Sequence, residues 1–163
     1  MGLKRRIDFR KIFSVVYVLA FGVYLAIGLQ PANAKNYEIS GNLVIPSINL
    51  ISDITSLTLN DHKLDTPDTI VGSYSKYSGK TLLIGHSTTV FKDLKKVRLG
   101  DTIFYNGKGY KITDTKTLAK SQVDMNKILA RAPSNTLIVM TCAGEILDNG
   151  DATHRFIVTA TEI

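Results

Sequence analysis

The sequence predicts an all-β domain, a barrel or a sandwich with only short helices, behind a single N-terminal membrane-crossing helix. Three observations carry this. Residues 41–163 break into short apolar or β-branched runs divided by turn residues. Helical periodicity in the same stretch is weak and brief. Near the N-terminus, an uncharged run of 18 residues, Ile12–Leu29, follows the basic cluster Lys4, Arg5, Arg6, Arg10 and Lys11.

At about 1.5 Å per helical residue that run spans roughly 27 Å, close to the ~30 Å hydrocarbon core of a bilayer. Basic residues before the span, and none clustered just after it, predict a cytoplasmic N-terminus and an extracellular domain. The expected organisation is a cytoplasmic tail (1–11), a transmembrane signal-anchor (12–30), a linker (31–40) and one exported domain (41–163). Ala32-Asn33-Ala34 has the small-residue spacing of a signal-peptidase site, so cleavage after Ala34 is the alternative; the length of the apolar run favours an uncleaved anchor. The net charge of +6 is mostly topological, because residues 1–11 carry +4 and the remainder only +2. That distribution excludes a nucleic-acid partner.

Eight runs read as strands: Asn42–Ile45, Ile48–Ile51, Thr69–Val71, Thr81–His86, Thr102–Tyr105, Tyr110–Ala119, Thr136–Cys142 and Thr153–Ala160. Eight are enough to close a small barrel. Pro46 cannot donate to a ladder, so it bends or divides the first pair. Asn106-Gly107-Lys108-Gly109 reads as a hairpin turn, since Asn and Gly accept positive φ. Val90, Phe91, Leu94 and Val97 fit one face of a short helix, and Asp124–Arg131 another that Pro133 stops.

Chemistry concentrates at the ends of these runs. Cys142 is the only cysteine and closes the run Leu137–Cys142, His86 closes Thr81–His86, and Arg155 opens the last run. A cysteine thiol in water has a pKa of about 8.5 and is only a few per cent thiolate near neutral pH, so it needs an activating base. An imidazole can take the thiol proton and later protonate a leaving amine. A guanidinium can stabilise a tetrahedral oxyanion or hold a peptide backbone. Each residue also has an ordinary reading: a buried thiol as a small hydrophobe, a histidine as one of three in the chain, an arginine as surface charge. His62 falls in a polar loop, and His154, next to Arg155, points to the other face of a strand.

Gly85-His86-Ser87, Thr141-Cys142 and Arg155-Phe156-Ile157-Val158-Thr159-Ala160, with Ile45-Pro46-Ser47-Ile48 upstream, resemble the sortases, membrane-anchored cysteine transpeptidases of mainly Gram-positive bacteria. The order His, Cys, Arg and the thirteen-residue step from Cys142 to Arg155 are similar too. The family's strand usually ends Thr-Leu-x-Thr-Cys, and the matching positions are Ile138, Val139, Met140, Thr141 and Cys142. The resemblance implies an eight-stranded β-barrel that cuts a Leu-Pro-x-Thr-Gly-like sorting signal between Thr and Gly. Cys142 would be the nucleophile, His86 the acid and base, and Arg155 the oxyanion or positioning group. An amine of a peptidoglycan precursor or a pilin lysine would resolve the thioester. Thr141 would contact substrate, or be an ordinary strand threonine.

The loops Thr113–Asn135 and Ala143–Ala152 are the expected specificity elements. Glu145, Asp148 and Asp151 cluster in the second, yet no dense oxygen-ligand pattern surrounds them, and one cysteine argues against structural zinc. Neither a metal nor another cofactor is expected. The rival readings are other cell-wall cysteine enzymes and a catalytically silent, membrane-tethered binding module. Papain-like wall hydrolases place Cys before His, and L,D-transpeptidases place an Arg directly after Cys; neither order is found here.

Overall fold

A computed structural model describes residues 37–60, 63–77 and 79–163. The expected tail (1–11), membrane span (12–30), residues 31–36 of the linker and His62 lie outside the described residues. Among those described, no helix is long and apolar enough to cross a membrane.

Eight strands close a barrel in the order β1 (Ile39–Ile45), β2 (Leu50–Ser56), β5 (Val71–Tyr77), β6 (Lys80–Ile84), β9 (Thr136–Ile146), β10 (Ala152–Glu162), β8 (Lys108–Ala119) and β7 (Thr102–Tyr105). Most neighbours are antiparallel, but β2–β5 and β6–β9 are parallel. Parallel neighbours need a long crossover. Between β6 (Lys80–Ile84) and β9 (Thr136–Ile146) the chain makes β7 (Thr102–Tyr105), β8 (Lys108–Ala119) and the one short α-helix of the described residues, α1 (Met125–Arg131).

Each of the eight expected strands has a counterpart in the barrel, with shifted bounds that have local causes. β1 (Ile39–Ile45) ends at Pro46, and Pro46–Ile48 form a 3-10 turn closed by Asn49 at φ 52°. β2 is therefore Leu50–Ser56 and not Ile48–Ile51. β5 is Val71–Tyr77 and only begins at the end of the expected run, because its sequence turns polar after Gly72. β8 contains Thr113–Ala119, so the first expected loop shrinks to residues 120–135. β9 overruns Cys142 by four residues and β10 (Ala152–Glu162) starts early, leaving Leu147–Asp151 as the second loop. A small ladder, β3 (Leu59–Asn60) with β4 (Lys63–Leu64), was not signalled by the sequence. The expected helix at Val90–Val97 is a series of turns ending in a 3-10 turn, Leu94–Lys96.

Side chains alternate across the wall. Leu137 and Val139 of β9, Leu83 of β6 and Phe156 and Val158 of β10 face inward and pack with Leu43, Ile45, Ile103 and Phe91. Leu82, Ile84, Ile138 and Ile157 face outward into a second apolar cluster roofed by Leu129 of α1. α1 starts where the Asp124 carboxylate accepts the Lys127 amide, and it stops before Pro133, as the sequence predicts. The outer cluster is what holds a helix against the barrel, and it is the floor of the groove described next.

Candidate active site

β6 ends at Ile84, whose register partner on β9 is Met140. β9 continues without β6 beside it, so the two residues past Met140 lie where the sheet opens. Thr141 points inward: it is 3% exposed, and its hydroxyl donates to the Gly85 carbonyl at 2.8 Å. This bond ties the exit of β6 to β9. Cys142, of opposite parity, points outward and is a half-buried free thiol. The expectation that Cys142 ends a strand is corrected: β9 runs on to Ile146, and it is β6 that ends.

Gly85 turns the chain away from the sheet. A Cβ here would stand 2.5 Å from Val90 Cγ1 and 2.8 Å from Phe91 Cδ2, so only glycine fits. His86 follows, its carbonyl accepting the Phe91 amide at 3.0 Å and the Thr89 amide at 3.4 Å. Phe91 is buried in the inner core, so the histidine backbone is fixed to the barrel. The His86 ring is partly exposed, with Nε2 3.9 Å from Asp68 Oδ1, beyond hydrogen-bond length.

Arg155 is the direct antiparallel partner of Cys142. Residues so paired put their side chains on one face with Cβ atoms roughly 4.5–5.5 Å apart. Nη1 donates to the Ala152 and His154 carbonyls, each at 2.9 Å, and Nη2 donates to Asp151 Oδ1 at 2.7 Å. Asp151 also accepts from Lys120 Nζ through Oδ2. The Lys120 ammonium, then the Arg155 guanidinium, hold the Asp151 carboxyl well below the usual carboxylate range. His154 pairs with Ala143 on the other parity, as its place beside Arg155 predicts.

His86, Thr141, Cys142 and Arg155 all line one groove of about 460 Å³ on the outer face of the barrel. Its floor includes Leu82, Ile84 and Met140, and its walls include Leu129 of α1 and Leu59 and Leu64 of the small ladder. The sequence did not point to Asp151 as an arginine partner, nor to Lys120 at all. An acid four residues before the arginine was the one available signal, and it reads equally well as a solvated loop. Among the described residues, no three His, Cys, Asp or Glu side chains gather as a metal site.

The β-barrel thus pairs a thiol with a guanidinium across two strands, with an imidazole on the same groove. Residues 43–163 match the family model of the sortase domain, and the chain belongs to the sortase family of cysteine transpeptidases. The fold is also that of solved sortases. Sortase A from Corynebacterium diphtheriae aligns with TM-score 0.60 and 19% identity, over 80% of this chain and 63% of that one. Sortase C-1 from Actinomyces oris aligns with TM-score 0.58 and 23% identity, over 77% and 72%. Sortase A from Listeria monocytogenes aligns with TM-score 0.59 and 19% identity, over 77% and 87%. This chain thus spans somewhat less than two thirds of the Corynebacterium structure. No curated protein matches it in sequence.

Proposed function

We propose that this protein is a membrane-tethered transpeptidase that cleaves a Leu-Pro-x-Thr-Gly-like signal between Thr and Gly and transfers the upstream protein to an amine. The observation that carries the reading is the cross-strand pairing of Cys142 with Arg155 in a groove that also holds His86. The Cys142 thiol gives its proton to His86 and its sulfur attacks the Thr carbonyl carbon. Negative charge forms on the carbonyl oxygen and Arg155 donates to it. The C–N bond to Gly breaks as His86 returns the proton to the leaving amine, and a thioester remains. An acceptor amine then attacks the thioester, its proton passing to His86, and the thiol is released with a new amide in place.

The apolar floor suits the Leu-Pro part of such a signal, and proline lowers the ordering cost of laying the peptide along the groove. The acceptor is a peptidoglycan precursor or a pilin lysine. The uncharged run Ile12–Leu29 is read as the anchor, with the N-terminus cytoplasmic and the barrel outside the cell.

Mass spectrometry of the full chain with a library of Leu-Pro-x-Thr-Gly-like peptides and a glycine or diamino acceptor tests this. The expected products are a thioester adduct on Cys142 and a ligated peptide, both absent in Cys142→Ala. Arg155→Ala should lower turnover by at least ~10²-fold, the scale of losing an oxyanion donor. Transfer persisting in Cys142→Ala sinks the assignment. A thiol that alkylates no faster in wild type than in His86→Ala, together with no adduct, would favour the silent binding module.

A further inference from the structure

We propose that Asp151 is the positioning residue for Arg155 and that Lys120 secures Asp151 in that task. A carboxylate-centred bridge between the two loops beside the groove would then set the guanidinium opposite Cys142. The inference rests on the reading of Arg155 as the group that stabilises the oxyanion.

Arginine is long and rotamer-rich, so a strand position fixes its Cβ but not its head. Here the head is fixed by other means. The Arg155 side chain is only 15% exposed, with Nη1 saturated by two main-chain carbonyls and Nη2 bound to Asp151. The second Nη2 hydrogen and Nε–H have no acceptor among the described residues, and these are the donors left for a substrate oxygen.

Asp151 is itself held on every side. Its amide donates to Asn149 Oδ1 at 3.0 Å, its carbonyl accepts from Leu147 N at 2.7 Å, and its Oδ1 also accepts from Ala152 N at 2.8 Å. Gly150, at φ 77°, closes this turn by donating to the Leu147 carbonyl at 2.8 Å. Oδ2 is taken by Lys120, from the 3-10 turn that follows β8. The carboxylate therefore arrives prebuilt, one oxygen toward each cation. Without it, two cations that line one groove would face each other with no counter-charge, and Arg155 would lose one of its three anchors.

A structural brace for the β9–β10 loop would use the same contacts, so the test separates the two. Using the full chain, kcat and KM are measured for Asp151→Ala, Asp151→Asn, Arg155→Ala and the Asp151→Ala/Arg155→Ala double variant, with whichever library peptide forms the Cys142 adduct. Asp151→Ala should lower kcat by about ten- to a hundredfold, the cost of misplacing a group near the chemistry, with KM changed less than about twofold. Asp151→Asn, which keeps the shape and loses the charge, should fall between. In the Arg155→Ala background the same substitution should cost less than about twofold, because Asp151 acts only through the arginine.

A second readout needs no peptide. The guanidinium ¹⁵N–H resonances of Arg155 should be resolved and slowly exchanging in wild type, and collapse in Asp151→Ala while the amide spectrum is otherwise kept. Equal kinetic losses in both backgrounds, or Arg155 resonances untouched by Asp151→Ala, would overturn the proposal. If wild type transfers no peptide at all, the function assigned above fails, and the resonances alone decide the positioning by the same two outcomes.

Discussion

At the residue scale, the shape of the candidate site depends on a glycine as much as on the polar groups it gathers. Gly85 lets the chain leave β6 within van der Waals reach of Val90 and Phe91, and Phe91, 1% exposed, has no room to yield. A methyl group at Gly85 must push back on its own backbone, which carries His86 and presents the carbonyl that Thr141 caps. Gly85→Ala should therefore destabilise the fold by about 1–3 kcal/mol, the usual cost of overpacking. It should also slow alkylation of Cys142, since His86 moves with residue 85. Thermal melting and iodoacetamide kinetics measured on one preparation check both effects. A lower melting temperature with unchanged thiol reactivity would show that the imidazole position does not depend on this contact. His86 and Cys142 were legible in the sequence as candidates; their support was not, because the clash that requires glycine involves Val90 and Phe91, which read only as one face of a short helix.

At the element scale, strands announced themselves where burial on both faces makes them apolar. β6 and β9 serve the inner core with one parity and the outer cluster with the other, so they read as continuous hydrophobic runs. β5 hid behind Gly72, Ser73 and Ser75, and β9 beyond Cys142 hid because Gly144, Glu145 and Ile146 are exposed. The ladder that pairs Phe156 with Thr141 and Arg155 with Cys142 runs on to pair Ala152 with Ile146. The two residues were readable as candidates and their pairing was not. α1 was readable from the run Asp124–Arg131 and its Pro133 stop, but the Asp124 cap and the helix's task as a groove wall were not. Leu129, 1% exposed, is its main anchor in the outer cluster. Leu129→Ala should cost about 2–5 kcal/mol and loosen that wall. Peptide KM should rise more than kcat falls, because the helix wall touches the groove and not the cross-strand pair. Steady-state kinetics check this, and an unchanged KM would mean that α1 does not shape the binding surface.

At the scale of the whole molecule, the ring of strands sets β1, the first described strand, apart from β9, which carries Cys142. β1 and β9 stand four places apart whichever way the ring of eight is counted, through β2, β5 and β6 or through β7, β8 and β10. The part of the groove that β9 lines thus lies across the barrel from β1. Both apolar clusters and every barrel strand lie within Tyr37–Ile163, a compact unit in its own right. If residues 1–36 serve as a tether, they act by holding enzyme and substrate on one surface, which raises effective concentration without adding a contact. Removing them should leave kcat/KM for a soluble peptide within about twofold of the full chain. Transfer of a substrate retained on the same lipid vesicles should fall by about 10²-fold or more, the lower range of such linkage gains. Rates on soluble and vesicle-bound substrates, measured for both forms, make the comparison. An equal fall on both would place residues 1–36 in the catalytic machinery, and no fall on vesicles would remove the tether from the account. A selective fall is the outcome expected if residues 1–36 act as a tether and the groove residues, all within Tyr37–Ile163, carry the chemistry.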